Sequence, residues 1–127
     1  HFDLKNPVFY AVIDLDLVIQ NLQTVKTQFK ELPKTFSVRR DFSLLLNKNI
    51  QFKELEKIAK LSNKNILKSV GLFDVYEGDK IEEDKKSYAL SFTFQDDEKT
   101  LTDEEIDKVM STIKDDFEKN LGAVLRS

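Results

Sequence analysis

The sequence predicts an α+β fold in which strands and helices follow one another as β-α-β-β-α-β over residues 35–127. Three observations carry this. Residues 38–47 ("VRRDFSLLLN") and 86–94 ("KSYALSFTF") alternate in the period-two manner of half-buried strands. Residues 51–62 and 100–120 repeat apolar side chains at helical spacing. The two remaining short segments, "GLFDVYEG" and "AVLRS", have strand-like character and fall where a split βαβ pair needs them.

Before that run, "VFYAVIDL" (residues 8–15) is rich in β-formers and follows Asn6-Pro7, so a strand is expected there. Asp16 is the expected cap of a short helix through "LVIQNLQTV", with Leu17, Val18, Leu22 and Val25 near helical spacing. "KTQFKELPKT" is polar and contains Pro33, which places a linker and a boundary near residue 34. A lone strand and helix cannot bury their own faces, so residues 1–34 read as the tail of a preceding module, with 35–127 as a domain of its own. The chain starts with His rather than Met, and a piece of a longer protein is expected.

Within residues 35–127, Phe42, Leu44 and Leu46 share one face of the first strand, and Asp41, Ser43 and Leu45 the other. Phe52, Leu55, Ile58 and Ala59 form the apolar stripe of the first helix. In "GLFDVYEG", Phe73 and Val75 are expected to be buried, leaving Asp74 and Tyr76 on the opposite face. Tyr88, Leu90, Phe92 and Phe94 then line the core side of the third strand, backed by small Ser87, Ala89, Ser91 and Thr93. The second helix has the clearest signals: Thr102 and Glu105 form a capping box, Asp103 and Glu104 suit the positive end of its dipole, and Gly122 stops it. Its stripe is Ile106, Val109, Met110, Ile113 and Phe117. This is a ferredoxin-like sandwich: two helices cover one face of a four-stranded antiparallel sheet. The uncovered face is expected to carry Asp41, Ser43, Leu72, Asp74, Tyr76, Ser87, Ser91 and Thr93.

Composition narrows the function. The 127 residues are 40% hydrophobic and 34% charged, with no cysteine and a single histidine at position 1. Disulfide frameworks and the usual zinc constellations are therefore excluded, and no apolar run approaches the roughly 20 residues of a membrane helix. Net charge is −3, whereas a nonspecific nucleic-acid binder is expected to be basic. The charge is uneven: residues 39–68 hold eight Lys/Arg against three acids, and residues 69–127 hold eight against sixteen. Any contact with nucleic acid must then be local and specific.

Enzyme signatures are missing. Gly71, Gly78 and Gly122 begin no phosphate-binding run, and there is neither a nucleophilic cysteine nor an internal histidine. The open sheet face is the better candidate. Four-stranded sheets of this kind bind single-stranded nucleic acid by stacking bases on exposed aromatics, with small polar neighbours reading the base edges. Tyr76, Asp74 and Ser87 supply these kinds of group, and a carboxylate is a good acceptor for the N–H edge of guanine. On the residues alone, Tyr76 as an ordinary rim side chain remains an equal reading.

"FSVRRDFSLLLN", "VGLFDVYEGDKI", "KKSYALSFTFQ" and "KTLTDEEIDKV", in this order and spacing, resemble the ferredoxin-like anticodon-binding domain at the C-terminus of the β subunit of bacterial phenylalanyl-tRNA synthetases. "FDLKNPVFYAVIDLDLVIQNL" resembles the end of the catalytic-like but inactive module before it. The resemblance implies a cytoplasmic ligase in which this domain holds the anticodon stem-loop of the phenylalanine tRNA. The α subunit of the heterotetramer activates phenylalanine with ATP and magnesium, and this segment carries no catalytic residue, cofactor, membrane or DNA contact. By motif, Tyr76 would stack on the first anticodon base, a guanine, with Asp74 and Ser87 hydrogen-bonding that nucleotide. Arg39 and Arg40 of "VRRD" have two readings, a phosphate contact or a structural pairing with a nearby acid. Two departures stand out: Ser37 where the family usually has proline, and acidic Glu82, Glu83 and Asp84 where it often has a Pro-Glu-Gly turn. A protein-interaction or small-ligand regulatory domain using the same face is the alternative.

Overall fold

The computed structural model describes residues 7–22, 28–29 and 31–126, and the chain forms two compact units, residues 1–32 and 33–127. In the first unit, helix α1 (Leu15–Leu22) is capped by Asp14, whose Oδ1 accepts the backbone N–H of Asp16 at 3.0 Å and of Leu17 at 3.2 Å. Asp16, the expected cap, instead lies in the first turn, where its charge still suits the helix dipole. The strand expected over residues 8–15 is not formed, and residues 7–14 carry no regular secondary structure. A strand needs a partner for its ladder, and none exists among the described residues of this unit. Its β-forming side chains Val8, Phe9 and Tyr10 are accordingly exposed.

The second unit runs β1 (Val38–Asn47), α2 (Phe52–Ser62), β2 (Leu67–Tyr76), β3 (Lys85–Phe94), α3 (Asp103–Leu121) and β4 (Val124–Arg126). Its strands form one antiparallel sheet in the order β2-β3-β1-β4, the ferredoxin-like topology that the element order predicts. The central pair, β1 and β3, is in register from Val38 opposite Phe94 to Asn47 opposite Lys85. Since residues paired directly across an antiparallel ladder share a face, this register puts Phe42, Leu44 and Leu46 beside Leu90 and Tyr88 on the helix side.

Both helices close that side. Leu55 and Ala59 of α2 and Ile106, Ile113 and Phe117 of α3 join Leu44, Leu46, Leu90, Phe92 and Phe94 in one buried cluster. Half-buried Phe42 packs on this cluster, its ring centroid 4.7 Å from that of Phe92, and Phe117 meets Phe42 nearly edge-on at 6.3 Å. Ser62 donates to an Asp116 carboxylate oxygen at 2.6 Å, tying the end of α2 to α3. Gly122 ends α3 in the left-handed conformation, φ +60°, and its N–H bonds back to Glu118, which releases the chain into β4. The segment before β1 is pinned to the connection after β3, where Gln95 Nε2 donates to the Thr35 carbonyl at 2.8 Å.

The capping box of α3 is complete. Glu105 accepts the Thr102 N–H at 3.0 Å, Thr102 Oγ1 accepts the Glu105 N–H at 3.3 Å, and the Lys99 ammonium joins the same carboxylate. The Lys99 contact first, then the backbone donor, hold the Glu105 carboxyl below the usual carboxylate range. A depressed acid stabilises the fold above its ordinary pKa, and the contribution is lost as pH falls through the lowered value. Glu105→Gln is therefore expected to lower the melting temperature at pH 7 by no more than about 5 °C, since the ion pair is exposed. The gap between the two proteins closes on titration below the carboxylate range, which thermal unfolding followed from pH 7 to pH 2 would show. Phe117→Ala, by contrast, removes a fully buried ring and is expected to cost about 3–5 kcal/mol at every pH in a denaturant titration.

Candidate functional site

Because β1 and β3 are locked in register, their odd-numbered residues share the face opposite the helices. Cross-strand rows on this open face run Arg39–Thr93–Ser69, Asp41–Ser91–Gly71, Ser43–Ala89–Asp74 and Leu45–Ser87–Tyr76, with Arg126 and Val124 of β4 extending the last two beyond Ser43 and Leu45. Asp74, Tyr76 and Ser87 thus stand together at one end of the sheet. The middle of the face is built from small side chains. Gly71 has a structural reason to lack one, since a Cβ there would lie 2.8 Å from Ser91 Oγ.

β2 departs from regular alternation. Its pairing with β3 shifts between Leu72 and Asp74, so Leu72 lies opposite Leu90 while Asp74 lies opposite Ala89. Two expectations from the sequence are corrected by this bulge. Leu72 does not belong to the open face; it is half-buried and packs against the core. Phe73 is not buried: it is the extra residue, 56% exposed, with the Arg39 guanidinium 5.5 Å from its ring centroid. Val75 returns to the helix side opposite Tyr88, yet at the sheet edge it stays 48% exposed rather than buried.

Around Tyr76 the surface forms a depression of about 390 Å³, lined by Ser43, Asp74, Tyr76, Lys80, Ser87, Ala89 and Arg126. Tyr76 is 38% exposed, and the Arg126 guanidinium lies 5.7 Å from its ring centroid. The Asp74 carboxylate has no hydrogen-bond or ion-pair partner among the described residues. It is left to accept hydrogen bonds from groups beyond the described residues. A hollow of equal volume beside α2, lined by Lys57, Lys60, Leu61, Lys64 and Leu67, offers lysines and leucines but no acceptor beside an aromatic ring, so it lacks the means to read a base edge.

The two arginines of "VRRD" part company, because neighbours along a strand point to opposite faces. Arg39 is on the open face, its Nε donating to Asp41 Oδ1 at 2.8 Å, and this hydrogen bond raises the guanidinium pKa further. Arg40 is on the helix side, bonded to Asp103 with Asp107 4.0 Å away. It is not brought together with Asp74, Tyr76 and Ser87. In the acidic turn after β2, Glu82 pairs with Lys85 at 2.7 Å, and Asp84 offers its carbonyl to the Lys48 N–H at 2.9 Å.

Ser43, across Ala89 from Asp74 in the same depression, and also Lys80, Arg126 and Gly78 are not singled out by the sequence. The sequence places Ser43 on the open face and gives it no role. Arg126 is legible only as part of a last strand, and Gly78 only as a glycine outside any phosphate-binding run. Gly78 in fact makes room for the tyrosine, since a Cβ there would sit 2.7 Å from the Tyr76 hydroxyl and 2.8 Å from Cζ.

The family model of the ferredoxin-fold anticodon binding domain matches residues 33–126. The chain belongs to this family. Among curated relatives, phenylalanine–tRNA ligase beta subunits of Bacteroides thetaiotaomicron and Bacteroides fragilis are 49% and 48% identical over 125 residues, 98% of this chain. The same subunit of Clostridium acetobutylicum is 36% identical over 126 residues. The chain spans only about 15% of the length of these relatives. Asp74, Tyr76 and Ser87 lie within the matched residues, on the sheet face opposite the helices.

Gly78→Ala is expected to push the tyrosine ring aside without unfolding the domain, because the obstructed atoms are the far end of an exposed side chain. Ring proton shifts of Tyr76 in NMR spectra should move, while the melting temperature stays within about 3 °C of the parent.

Proposed function

We propose that this chain is the anticodon-binding module of a phenylalanine–tRNA ligase beta subunit, and that its open sheet face receives the anticodon stem-loop of the phenylalanine tRNA. The first anticodon base, a guanine, stacks on Tyr76. Asp74 accepts its N–H edge, and the Ser87 hydroxyl bonds the same nucleotide. The observation that carries this reading is the Asp74 carboxylate, without a partner among the described residues and set one row from an exposed tyrosine above a floor of Ser43, Ala89 and Ser87. A flat ligand with adjacent donors fits such a place better than an extended peptide would. The family membership and the names of the relatives support the tRNA as its source.

On this reading the reaction lies elsewhere in the enzyme. Among the described residues no cluster of three His, Cys, Asp or Glu side chains could hold a metal ion. ATP and magnesium are used by the α subunit, and this domain contributes binding energy and selection of the tRNA. No described helix is long and apolar enough to cross a membrane, and the assembly is proposed to work in the cytoplasm. Arg126 and Lys80 supply positive charge at the rim of the depression, where the loop phosphates pass.

Base stacking on an aromatic side chain contributes roughly 1–3 kcal/mol per base. Tyr76→Ala in the assembled enzyme is expected to raise the tRNA concentration needed for half-maximal charging by about tenfold. Phenylalanine-dependent pyrophosphate exchange should be unchanged, because it needs no tRNA. Unaltered charging at limiting tRNA would instead favour a protein or small-ligand partner for this face.

A further inference from the structure

We propose that the open face holds a second stacking position, built by Phe73 with Arg39, for the nucleotide adjacent to the one on Tyr76. The inference rests on the reading of the face as an RNA-loop site and extends it from one base to two. Its origin is the bulge in β2. Residues three apart in a regular strand face opposite sides, so Phe73 and Tyr76 could not share a face in an unbroken ladder. Gly71 lies on the open face, so Phe73 two residues on falls there as well, beside Arg39, and the register shift between Leu72 and Asp74 inserts one residue that brings Tyr76 to the same side. The fold thereby leaves a phenylalanine 56% exposed.

The surroundings of Phe73 suit a base more than a protein side chain. Arg39 lies over the ring at 5.5 Å and is held there by Asp41, which gives a cation beside an aromatic plane. Gly71 and Ser91 leave the adjoining surface flat. Along β3, Phe73 stands level with Leu90 and Ala89, whereas Tyr76 stands level with Ser87, an offset of about 8 Å at strand spacing. Unstacked neighbours in a single-stranded loop can reach both rings, as on other four-stranded sheets that hold two or three bases. Positive charge flanks the track at both ends, Arg39 by Phe73 and Arg126 with Lys80 by Tyr76.

The test is a titration of the full chain, at low salt, into an RNA hairpin with the phenylalanine anticodon in its loop and 2-aminopurine at the position following the guanine. Stacking on Phe73 is expected to give a saturable change in 2-aminopurine fluorescence. Phe73→Leu, which keeps apolar bulk but has no ring, should abolish that change and weaken binding about fivefold or more, whereas Phe73→Tyr should retain both. Melting curves of the variants establish that each is folded. If Phe73→Leu binds and reports like the parent while Tyr76→Leu loses affinity, the second position is overturned and the first stands. If neither substitution alters binding, the RNA-loop reading of the face fails, and this inference fails with it.

Discussion

Everything in the second unit depends on the ten-residue antiparallel pairing of β1 with β3. These strands are the centre of the sheet, and both alternate between a mainly apolar side, interrupted by Arg40 and Lys86 at its ends, and a side of small or polar residues that includes Leu45. A slip of one residue would present Phe92 and Leu44 to water and bury Ser91 and Ser43, so the register is held by the full burial energy of the core. Phe42, Phe92 and Phe117 show how that constraint reaches the helices, because the contact of the two strand rings fixes where α3 must lie.

The open face is the reverse side of the same constraint. Its central residues are small because β3 alternates large apolar side chains with Ser87, Ala89, Ser91 and Thr93; Ser87 is buried beneath its neighbours, and the other three are half-buried. A flat surface between an edge strand with two rings and a terminal strand with an arginine is well matched to bases and poorly matched to an interdigitating protein core. The net charge of −3 does not oppose this, because recognition here depends on a few placed groups rather than on a general attraction to phosphate.

Most charged side chains are tied to structure rather than to ligand. Lys99 and Glu105 hold the start of α3, Arg40 reaches that same first turn from β1, and Lys68 lies 3.3 Å from Asp97. Glu82 in the acidic turn is paired with Lys85, which draws part of its negative charge away from the depression around Tyr76. Asp74 differs from these carboxylates in having no such partner among the described residues.

The sequence by itself determined the element order, the capping box and glycine stop of α3, the side of β1 and β3 that forms the core, and the pairing of Asp74 with Tyr76 on one face. Each follows from local periodicity or from a cap whose signals lie within a few residues. The tertiary structure decided what depends on partners remote in the chain. Residues 8–15 have the composition of a strand but no ladder to join among the described residues, so propensity alone did not make them one. The β2 bulge is a property of pairing with β3; it exchanged the places expected for Leu72 and Phe73 and brought a second ring to the open face. Arg39 and Arg40, adjacent and chemically identical, were separated by the sheet itself, and only packing told which acid each would meet.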